Sequence, residues 1–202
     1  SEQSVQARLK LEASDGSSTT SAGLFSVRNR PFVFYINDTN TANDVYCNAG
    51  GNNANSGLAS NKPMADLNVL LAQYDLDSST NGGDIVYIDT GVYKVGDPWR
   101  ITQADSAGDL NLPPVVLQGS TNPVGTGTVL ERTFNSIGLQ ADYAVGLRIR
   151  NITISNTVGT AVVFNDCYGV AAESVAVGSA NVGFQLNGGS QLRIANCSVW
   201  SA

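Results

Sequence analysis

The sequence predicts an all-β fold in which the chain winds into a right-handed parallel β-helix, a solenoid built from coils of about 22 residues. Apolar positions recur at fixed offsets of 22 and 23 residues from residue 137 onward, which is the mark of a repeat architecture. Apolar and polar residues alternate within each recurring segment, as in half-buried strands. Charged residues make up 14% of the 202-residue chain and 21 residues are glycine, which suits a turn-rich β protein. A capping helix and a short N-terminal β-hairpin complete the predicted fold.

Residues 1–38 are predicted to be an N-terminal β-strand segment. Its three strand-like runs are ARLKLEAS, GLFSVRN and PFVFYIND, and the turn-rich DGSSTTSA separates the first two. Leu9 and Leu11 alternate with basic residues, so we expect a hairpin that buries both on one face. Two or three strands alone are marginal in water, so this segment is expected to pack on something else.

Residues 39–83 are predicted to hold a polar loop followed by the capping helix. The loop covers residues 39–63 and is interrupted by a short apolar patch at residues 45–47. The helix is predicted over residues 64–75, because Pro63 suits a helix start and four apolar side chains share one helical stripe. These are Leu67, Leu70, Leu71 and Tyr74.

Residues 84–202 are predicted to form the parallel β-helix, in which three columns of apolar residues keep the same period. The first column holds Leu147 with Ile149, Val170 with Ala172, and Leu192 with Ile194. The second holds Ile152 with Ile154, Val175 with Val177, and Cys197 with Val199. The third holds Leu139 with Ala141, Val162 with Phe164, and Phe184 with Leu186. Between residues 84 and 136 the register is open, although IVYI, WRIT and PVVLQG predict strands.

One turn is predicted after the third strand of each coil. Asp142, Asn165 and Asn187 occupy equivalent positions there. Asn and Asp favour a tight turn with a left-handed residue, and stacked side-chain amides can bond along the solenoid axis.

The segment from residue 51 to residue 93 resembles the opening of many secreted pectate-lyase-like β-helix proteins of bacterial type. The resemblance rests on GNNANSG, Lys62-Pro63, the amphipathic helix, GDIVYI and TGVY, and it extends over residues 34–202. It implies that the helix caps the N-terminal end of the solenoid. The superfamily includes lyases, glycosidases, epimerases, phage tailspikes and adhesins, so it predicts a fold and no single activity. The first 33 residues resemble the closing strands of an Ig-like module, which implies a larger multidomain surface protein.

Composition excludes several function classes. The chain has no histidine, so mechanisms that need imidazole and zinc sites with histidine ligands are excluded. A net charge of −6 disfavours nucleic acid as a partner. No apolar run reaches the ~18 residues of a membrane span, so no membrane insertion is predicted. Low Lys content with many Asn, Ser, Thr and Gly residues favours an extracellular or cell-surface location. Glycosylation sequons occur at Asn37, Asn151 and Asn196, but such sequons arise often by chance in Asn-rich chains and count for little.

The three cysteines, Cys47, Cys167 and Cys197, lack CxxC spacing, so neither a zinc site nor a disulfide framework is indicated. Cys197 lies in an inward column and is expected to be a buried thiol. Cys167 is assigned to a turn. The two lie at different azimuths of the solenoid, so a bond between them is not expected.

Arginines on one outward face are the first candidates for chemistry. Lyases of the resembling family bind Ca²⁺ through Asp/Glu clusters and use an Arg or Lys as the base. Here Arg148 and Arg193 share an azimuth two coils apart and Arg150 faces Glu173, but the carboxylate cluster is missing. A solvated ladder with one cross-strand ion pair explains the same residues.

Asp142 and Asp166 are candidates for a catalytic carboxylate pair. Glycosidases place two carboxylates about 5 to 9.5 Å apart across the scissile bond, and these two residues lie one coil apart near one turn. The turn position of Asp142 is itself a sufficient structural explanation.

Two binding sites are also considered. Tyr143 and Tyr168 are candidates for a sugar-stacking strip. Asp38 and Asp44 lie in an amide-rich loop that can hold a hard cation such as Ca²⁺, or that is a plain surface loop, since no spaced Asp motif is present. No other cofactor is predicted.

The last strand carries Val199 and Trp200, which are the predicted assembly interface. It completes a coil in register with earlier ones, and nothing in the sequence follows to cap it. Such an open end has three explanations: the chain is a fragment of a longer β-helix, a disordered remainder is missing, or the end stacks on another subunit. In the last case the N-terminal hairpin is available as a strand donor to the neighbouring subunit. The leading hypothesis is an extracellular structural or adhesive module that self-associates end to end into filaments or joins neighbouring domains. The alternatives are a polysaccharide-active lyase, epimerase or glycosidase, and carbohydrate binding without turnover.

Overall fold

The structure of the chain is a computed structural model that describes residues 4–7, 10–20, 25–27, 31–121, 127–132, 137–155, 158–178 and 180–200. In this part the regular structure is β-strand, apart from helix α1 (Leu67–Gln73) and a 3-10 turn at Gln103–Asp105. The N-terminal strands are β1 (Ser4–Ala7), β2 (Lys10–Glu12), β3 (Ser18–Thr20) and β4 (Phe25–Val27).

Three parallel sheets make up the rest of the fold. The first sheet holds β5 (Val33–Ile36), β8 (Ile85–Ile88), β11 (Val115–Gly119), β14 (Val145–Arg150), β17 (Tyr168–Glu173) and β20 (Arg193–Ala195). The second holds β9 (Gly91–Val95), β12 (Thr128–Arg132), β15 (Ile152–Ser155), β18 (Ala176–Gly178) and β21 (Ser198–Trp200). The third holds β10 (Trp99–Ile101), β13 (Leu139–Asp142), β16 (Thr160–Asn165) and β19 (Val182–Asn187). Strands β6 (Ser78–Ser79) and β7 (Gly82–Gly83) form a separate antiparallel pair.

From β8 onward the chain visits the first, second and third sheets in rotation, so each turn of the chain adds one strand to every sheet. This is the arrangement expected of a parallel β-solenoid. Inward side chains from all three sheets meet in one continuous core, where Trp99, Leu117 and Phe164 are fully buried. Along each strand, outward-facing residues alternate with these inward-facing ones, as the two-residue period of a strand requires.

The predicted register after residue 137 is confirmed in all three columns. Strand pairing joins Leu147 to Val170, Ala172 to Ile194, and Ile154 to Val177. It joins Val162 to Leu139 on one side and to Phe184 on the other. The strands predicted from IVYI, WRIT and PVVLQG are present as β8, β10 and β11. Their coils are longer because they contain insertions such as the 3-10 turn, which is why a fixed offset did not reveal their register.

The turn after the third sheet differs from the prediction by one residue. The left-handed backbone lies at Tyr143, Asp166 and Gly188, one residue beyond Asp142, Asn165 and Asn187. The predicted amide ladder does form. Asn187 Nδ2 donates to Asn165 Oδ1 at 2.8 Å, and Asn165 Nδ2 donates to Asp142 Oδ1 at 2.6 Å.

The N-terminal hairpin is present, but its details differ from the prediction. Strand β2 pairs with β3, so part of the run assigned to the turn is itself a strand. Every residue of β2 and β3 is exposed, and Leu11 is 59% exposed, so the buried face predicted for Leu11 is wrong. Leu9 lies outside the described residues. The third predicted strand, β5, pairs in parallel with β8 and therefore belongs to the solenoid.

The structure does not support an N-terminal capping helix. Helix α1 is shorter than the predicted span of residues 64–75, and it follows β5, which is itself the terminal strand of the first sheet. The edge of β5 is paired by backbone from the loop: Tyr35 N donates to Gly57 O and Met64 N donates to Tyr35 O. Helix α1 instead contributes Leu67 and Leu70 to the core.

Candidate functional site

One outward column of the first sheet carries the most continuous set of functional side chains. Tyr35, Tyr87, Gln118, Arg150 and Glu173 are paired in register through five neighbouring strands. Strands in a sheet lie about 4.8 Å apart, so the column extends over about 20 Å along the solenoid axis. We call these five residues, together with Tyr46 and Arg193, the outer strip.

Three tyrosines form one end of the outer strip. The rings of Tyr46 and Tyr87 are stacked with centroids 4.3 Å apart, and Tyr35 lies 5.9 Å from Tyr87 in a tilted arrangement. Tyr46 comes from the polar loop, and its hydroxyl donates to Gly119 O at 3.2 Å. Partial burial raises the pKa of Tyr46, so its hydroxyl remains a hydrogen-bond donor at neutral pH. Offset aromatic rings of this kind are common platforms for amphipathic ligands.

Tyr46 reaches the strip because the fully buried carboxylate of Asp89 holds the loop in place. Asp89 Oδ1 accepts from Val45 N at 2.7 Å, and Asp89 Oδ2 accepts from Tyr46 N at 2.8 Å and Cys47 N at 2.5 Å. Thr90 N donates to the same carboxylate at 2.7 Å. Four backbone donors thus offset the desolvation of one buried charge.

Charged residues line the other end of the strip, in a polar groove of about 370 Å³. Glu173 Oε2 pairs with Arg150 Nε at 2.8 Å, and Glu173 Oε1 pairs with Arg193 Nη1 at 3.4 Å. The hydrogen bond from Arg150, and the charges of Arg150, Arg148 and Arg193, lower the pKa of Glu173. Three arginines around one carboxylate leave a local excess of positive charge on a chain whose net charge is −6.

Asp142 and Asp166, the candidate catalytic pair, occupy different positions of their coils. Asp142 is in register with Asn165, whereas Asp166 is the exposed left-handed turn residue that follows. Both oxygens of Asp142 accept hydrogen bonds from Gln140 Nε2, at 2.8 and 2.9 Å, and Arg100 Nε lies 3.9 Å from Asp142 Oδ2. These contacts place Asp142 in the amide ladder. Arg148 lies beside the outer strip, on the neighbouring outward column.

The structure does not bring the rings of Tyr143 and Tyr168 into contact within its described part. They are 60% and 44% exposed, and Tyr168 is in register with Val145. The aromatic cluster is formed instead by the three tyrosines of the outer strip. Sequence reasoning missed them, although Tyr35 and Tyr87 both occupy the third position of a four-residue apolar run, VFYI and IVYI. That shared position was the available signal.

The loop carboxylates bind backbone and side-chain donors. Asp38 accepts from Asn40 N at 2.7 Å and from Val92 N at 3.2 Å, and Asp44 Oδ2 accepts from Asn37 Nδ2 at 2.6 Å. Burial raises the pKa of Asp44, and the charges of Asp89 and Asp38 add to the effect. Within the residues that the structure describes, no three His, Cys, Asp or Glu side chains are grouped so as to hold a metal ion.

The three cysteines are free thiols. Cys167 lies in the turn between β16 and β17, as predicted, but it is fully buried with Sγ 3.4 Å from Ala141 O, so the expectation that a turn position leaves it less constrained is wrong. The left-handed residue before it, Asp166, turns the chain so that Cys167 faces the core. Cys197 is half-buried because it lies in the last coil.

The last coil exposes apolar side chains that earlier coils bury. Val199 is 56% exposed, whereas Val177, its partner one coil earlier, is fully buried. Leu186 and Ile194 are 47% and 42% exposed, whereas their partners Phe164 and Ala172 are fully buried. Trp200 is half-exposed and lies over Gly178. We call these side chains of the last coil, Leu186, Ile194, Val199 and Trp200, the terminal coil face.

Comparisons of the chain with protein-family models, with curated proteins and with solved structures gave no match. Among the described residues, no helix has the length and apolar character needed to cross a membrane. A function therefore has to be inferred from the fold, the outer strip and the terminal coil face.

Proposed function

We propose that the chain is an extracellular adhesive module that binds an acidic polysaccharide along the outer strip without turning it over. The observation that carries the proposal is the in-register column of Tyr35, Tyr87, Gln118, Arg150 and Glu173. A strip about 20 Å long suits an extended polymer that runs along the solenoid axis.

The side chains of the strip match the chemistry of a charged sugar chain. Tyrosine rings offer apolar faces to sugar rings, and Gln118 offers an amide to hydroxyl groups. Arginines recognise carboxylates through parallel hydrogen bonds, and Arg193 is two-thirds exposed and so accessible to a ligand. An anionic polymer is favoured because Arg148, Arg150 and Arg193 face a single carboxylate.

The same contacts favour binding over catalysis. A general acid must hold a proton near neutral pH, whereas the arginines lower the pKa of Glu173 and keep it ionised. Both oxygens of Glu173 are engaged by arginines, so the group is committed to the ion-pair network.

Affinity electrophoresis in gels containing polygalacturonate, with dextran as the neutral comparison, tests this proposal. We expect retardation by polygalacturonate alone, and weaker retardation for Arg193→Gln and Tyr87→Ala. Lys94→Gln, an exposed position on the second sheet, removes the same charge and is the matched control. Equal retardation of Arg193→Gln and Lys94→Gln would show that net charge, and not the strip, causes binding. Release of unsaturated products, read by absorbance, would identify a lyase instead.

The terminal coil face supports a second function, self-association. The opposite end of the first sheet is paired by the loop backbone at Gly57 and Met64, so it offers no free edge to another copy. Two copies would therefore meet through their terminal coil faces. An isologous contact of this kind closes into a dimer, whereas filaments need a heterologous contact.

Sedimentation velocity over a range of concentrations tests self-association. We expect a dimer that dissociates in Val199→Asp and persists in Val92→Asp, which changes a valine that is 39% exposed on the second sheet. A monomer at all concentrations would refute the dimer, and open filaments would refute its closed geometry.

A further inference from the structure

A cavity of about 520 Å³ lies between helix α1 and the segment from Asp97 to Asp105, away from the outer strip. Its volume falls in the range of small-molecule sites, about 300 to 1,000 Å³. Leu71, Ala72, Pro98 and Ala104 form its apolar wall. The remaining lining residues are polar or charged: Asn68, Asp75, Asp97, Arg100, Thr102 and Asp105.

The side chain of Asn68 holds the two sides of the cavity together. Its Nδ2 donates to Pro98 O at 2.9 Å, and its Oδ1 accepts from Arg100 N at 3.0 Å. The helix and strand β10 are thus joined at the rim by both ends of one amide. A cavity with fixed walls loses little conformational entropy when a ligand enters.

Asp105 is the buried polar group of the cavity, with 4% of its surface exposed. Its Oδ2 accepts from Thr102 N at 2.9 Å and from Thr102 Oγ1 at 2.8 Å. Its Oδ1 makes no hydrogen bond within the described part of the chain. This oxygen keeps contact with solvent, and Asp105 lines the cavity, so Oδ1 can accept a hydrogen bond from a ligand.

The charge of the cavity is negative. Asp75 and Asp97 are exposed at its rim, where Asp97 also interacts electrostatically with the buried Arg132, while Arg100 is directed to Gln140 and Asp142 of the amide ladder. Burial raises the pKa of Asp105, and the charge of Asp75 adds to the effect. A ligand that brings a positive charge would relieve this repulsion.

We propose that this cavity binds a small organic cation, a protonated primary amine on a short aliphatic chain. The ammonium group donates to Asp105 Oδ1 and neutralises the rim carboxylates, and the aliphatic chain covers Leu71 and Pro98. Neither the outer strip nor the terminal coil face contributes to this site, so the proposal is independent of both.

Isothermal titration of the folded chain with 1,5-diaminopentane, and with 1,5-pentanediol as the neutral analogue, tests the proposal. We expect the diamine to bind and the diol not to bind. The affinity of Asp105→Asn for the diamine should be about ten-fold lower, because a charge-assisted hydrogen bond is lost. Asp105→Asn keeps an oxygen for Thr102 and so preserves the turn. Asp97→Asn, at the exposed rim, is expected to weaken binding less.

Asp109→Asn is the matched control, because Asp109 is exposed just beyond this segment and does not line the cavity. Its affinity should equal that of the unchanged chain. Equal affinity of Asp105→Asn and Asp109→Asn for the diamine would overturn the proposal, and so would equal binding of the diol. Absence of diamine binding at low salt would overturn it as well.

Discussion

The two ends of the first sheet differ in whether the edge strand is paired. At β5 the loop supplies the missing partner: Met64 N donates to Tyr35 O and Asn37 N donates to Met64 O, and Met64, Phe34 and Ile36 are buried. At β20 and β21 no described strand follows, and the inward column is open. Among the described residues, one end of the first sheet is thus closed and the other is exposed.

The closed end depends on a few polar contacts. Asp89 holds the loop at Val45 to Cys47, and the loop then crosses close above Asn37. A Cβ at Gly51 would lie 1.8 Å from Asn37 O, so this position requires glycine. The difference between the ends indicates that covering the edge strand of a solenoid requires an irregular loop held by polar contacts as well as apolar residues.

Removal of the Asp89 carboxylate should have the largest effect on this comparison. Asp89→Ala leaves the four backbone donors it binds without an acceptor, including those of buried Cys47 and Thr90. We expect the free energy of unfolding to fall by about 4 kcal/mol. Urea unfolding followed by circular dichroism measures this change.

The control for this change is Asp75→Ala, which removes an exposed carboxylate that makes no side-chain hydrogen bond to the described residues and should change stability by less than about 0.5 kcal/mol. Quenching of tyrosine fluorescence adds a local readout, because Tyr46 should leave Tyr87 when the loop is released. If Asp89→Ala proves as mild as Asp75→Ala, the loop does not seal the closed end.

A matched pair of valines sharpens the description of the exposed end. Val177 and Val199 are neighbours in one column, but the first is fully buried and the second is 56% exposed. Val177→Ala should cost about 2 kcal/mol through lost burial and a cavity, and Val199→Ala should cost less than about 0.5 kcal/mol. Chemical unfolding at low protein concentration compares them.

Equal losses for the two valines would show that the terminal coil face is covered in solution. A loss for Val199→Ala that grows with protein concentration would indicate that a second copy covers it. Either result would mean that the terminal coil face is an interface and is not exposed in solution.

Much of the fold was predictable because the repeat is regular where it is visible. The columns through Leu147, Ile152 and Leu139 fix the register of every later coil, since a strand slipped by one residue would expose its apolar set. The turn was misplaced by one residue because Asp142 suits a left-handed backbone better than Tyr143 does, yet the ladder needs Asp142 on the strand, where it accepts from Asn165.

The candidate site was less predictable, because its members come from distant parts of the chain. Arg150 and Glu173 were paired correctly from the period of the repeat. Tyr35 and Tyr46 were not, since one precedes the regular coils and the other lies in a loop whose path depends on Asp89. A periodic pattern predicts neighbours within the repeat and contains no information about a loop that folds back on it.

The smallest effect that we predict concerns pH and the closed end. Asn37 Oδ1 and Asp44 Oδ1 are buried and make no hydrogen bond, while Asn37 Nδ2 donates to Asp44 Oδ2. Protonation of Asp44 Oδ1 turns one of these unpartnered oxygens into a donor. Because burial raises the pKa of Asp44 in the folded chain, its contribution to stability is full below the unfolded pKa and is lost as pH rises through the folded pKa.

Asp44→Asn should remove this dependence, since its amide can donate at any pH. We therefore expect Asp44→Asn to be more stable than the unchanged chain at pH 7, by less than about 1 kcal/mol because solvent screens a partly exposed group. The gain should shrink as pH falls towards 4, and the difference between the two unfolding curves isolates it from other carboxylates. A constant difference from pH 4 to 7 would mean that Asp44 keeps an ordinary pKa, and that the closed end is held by Asp89 without help from this proton.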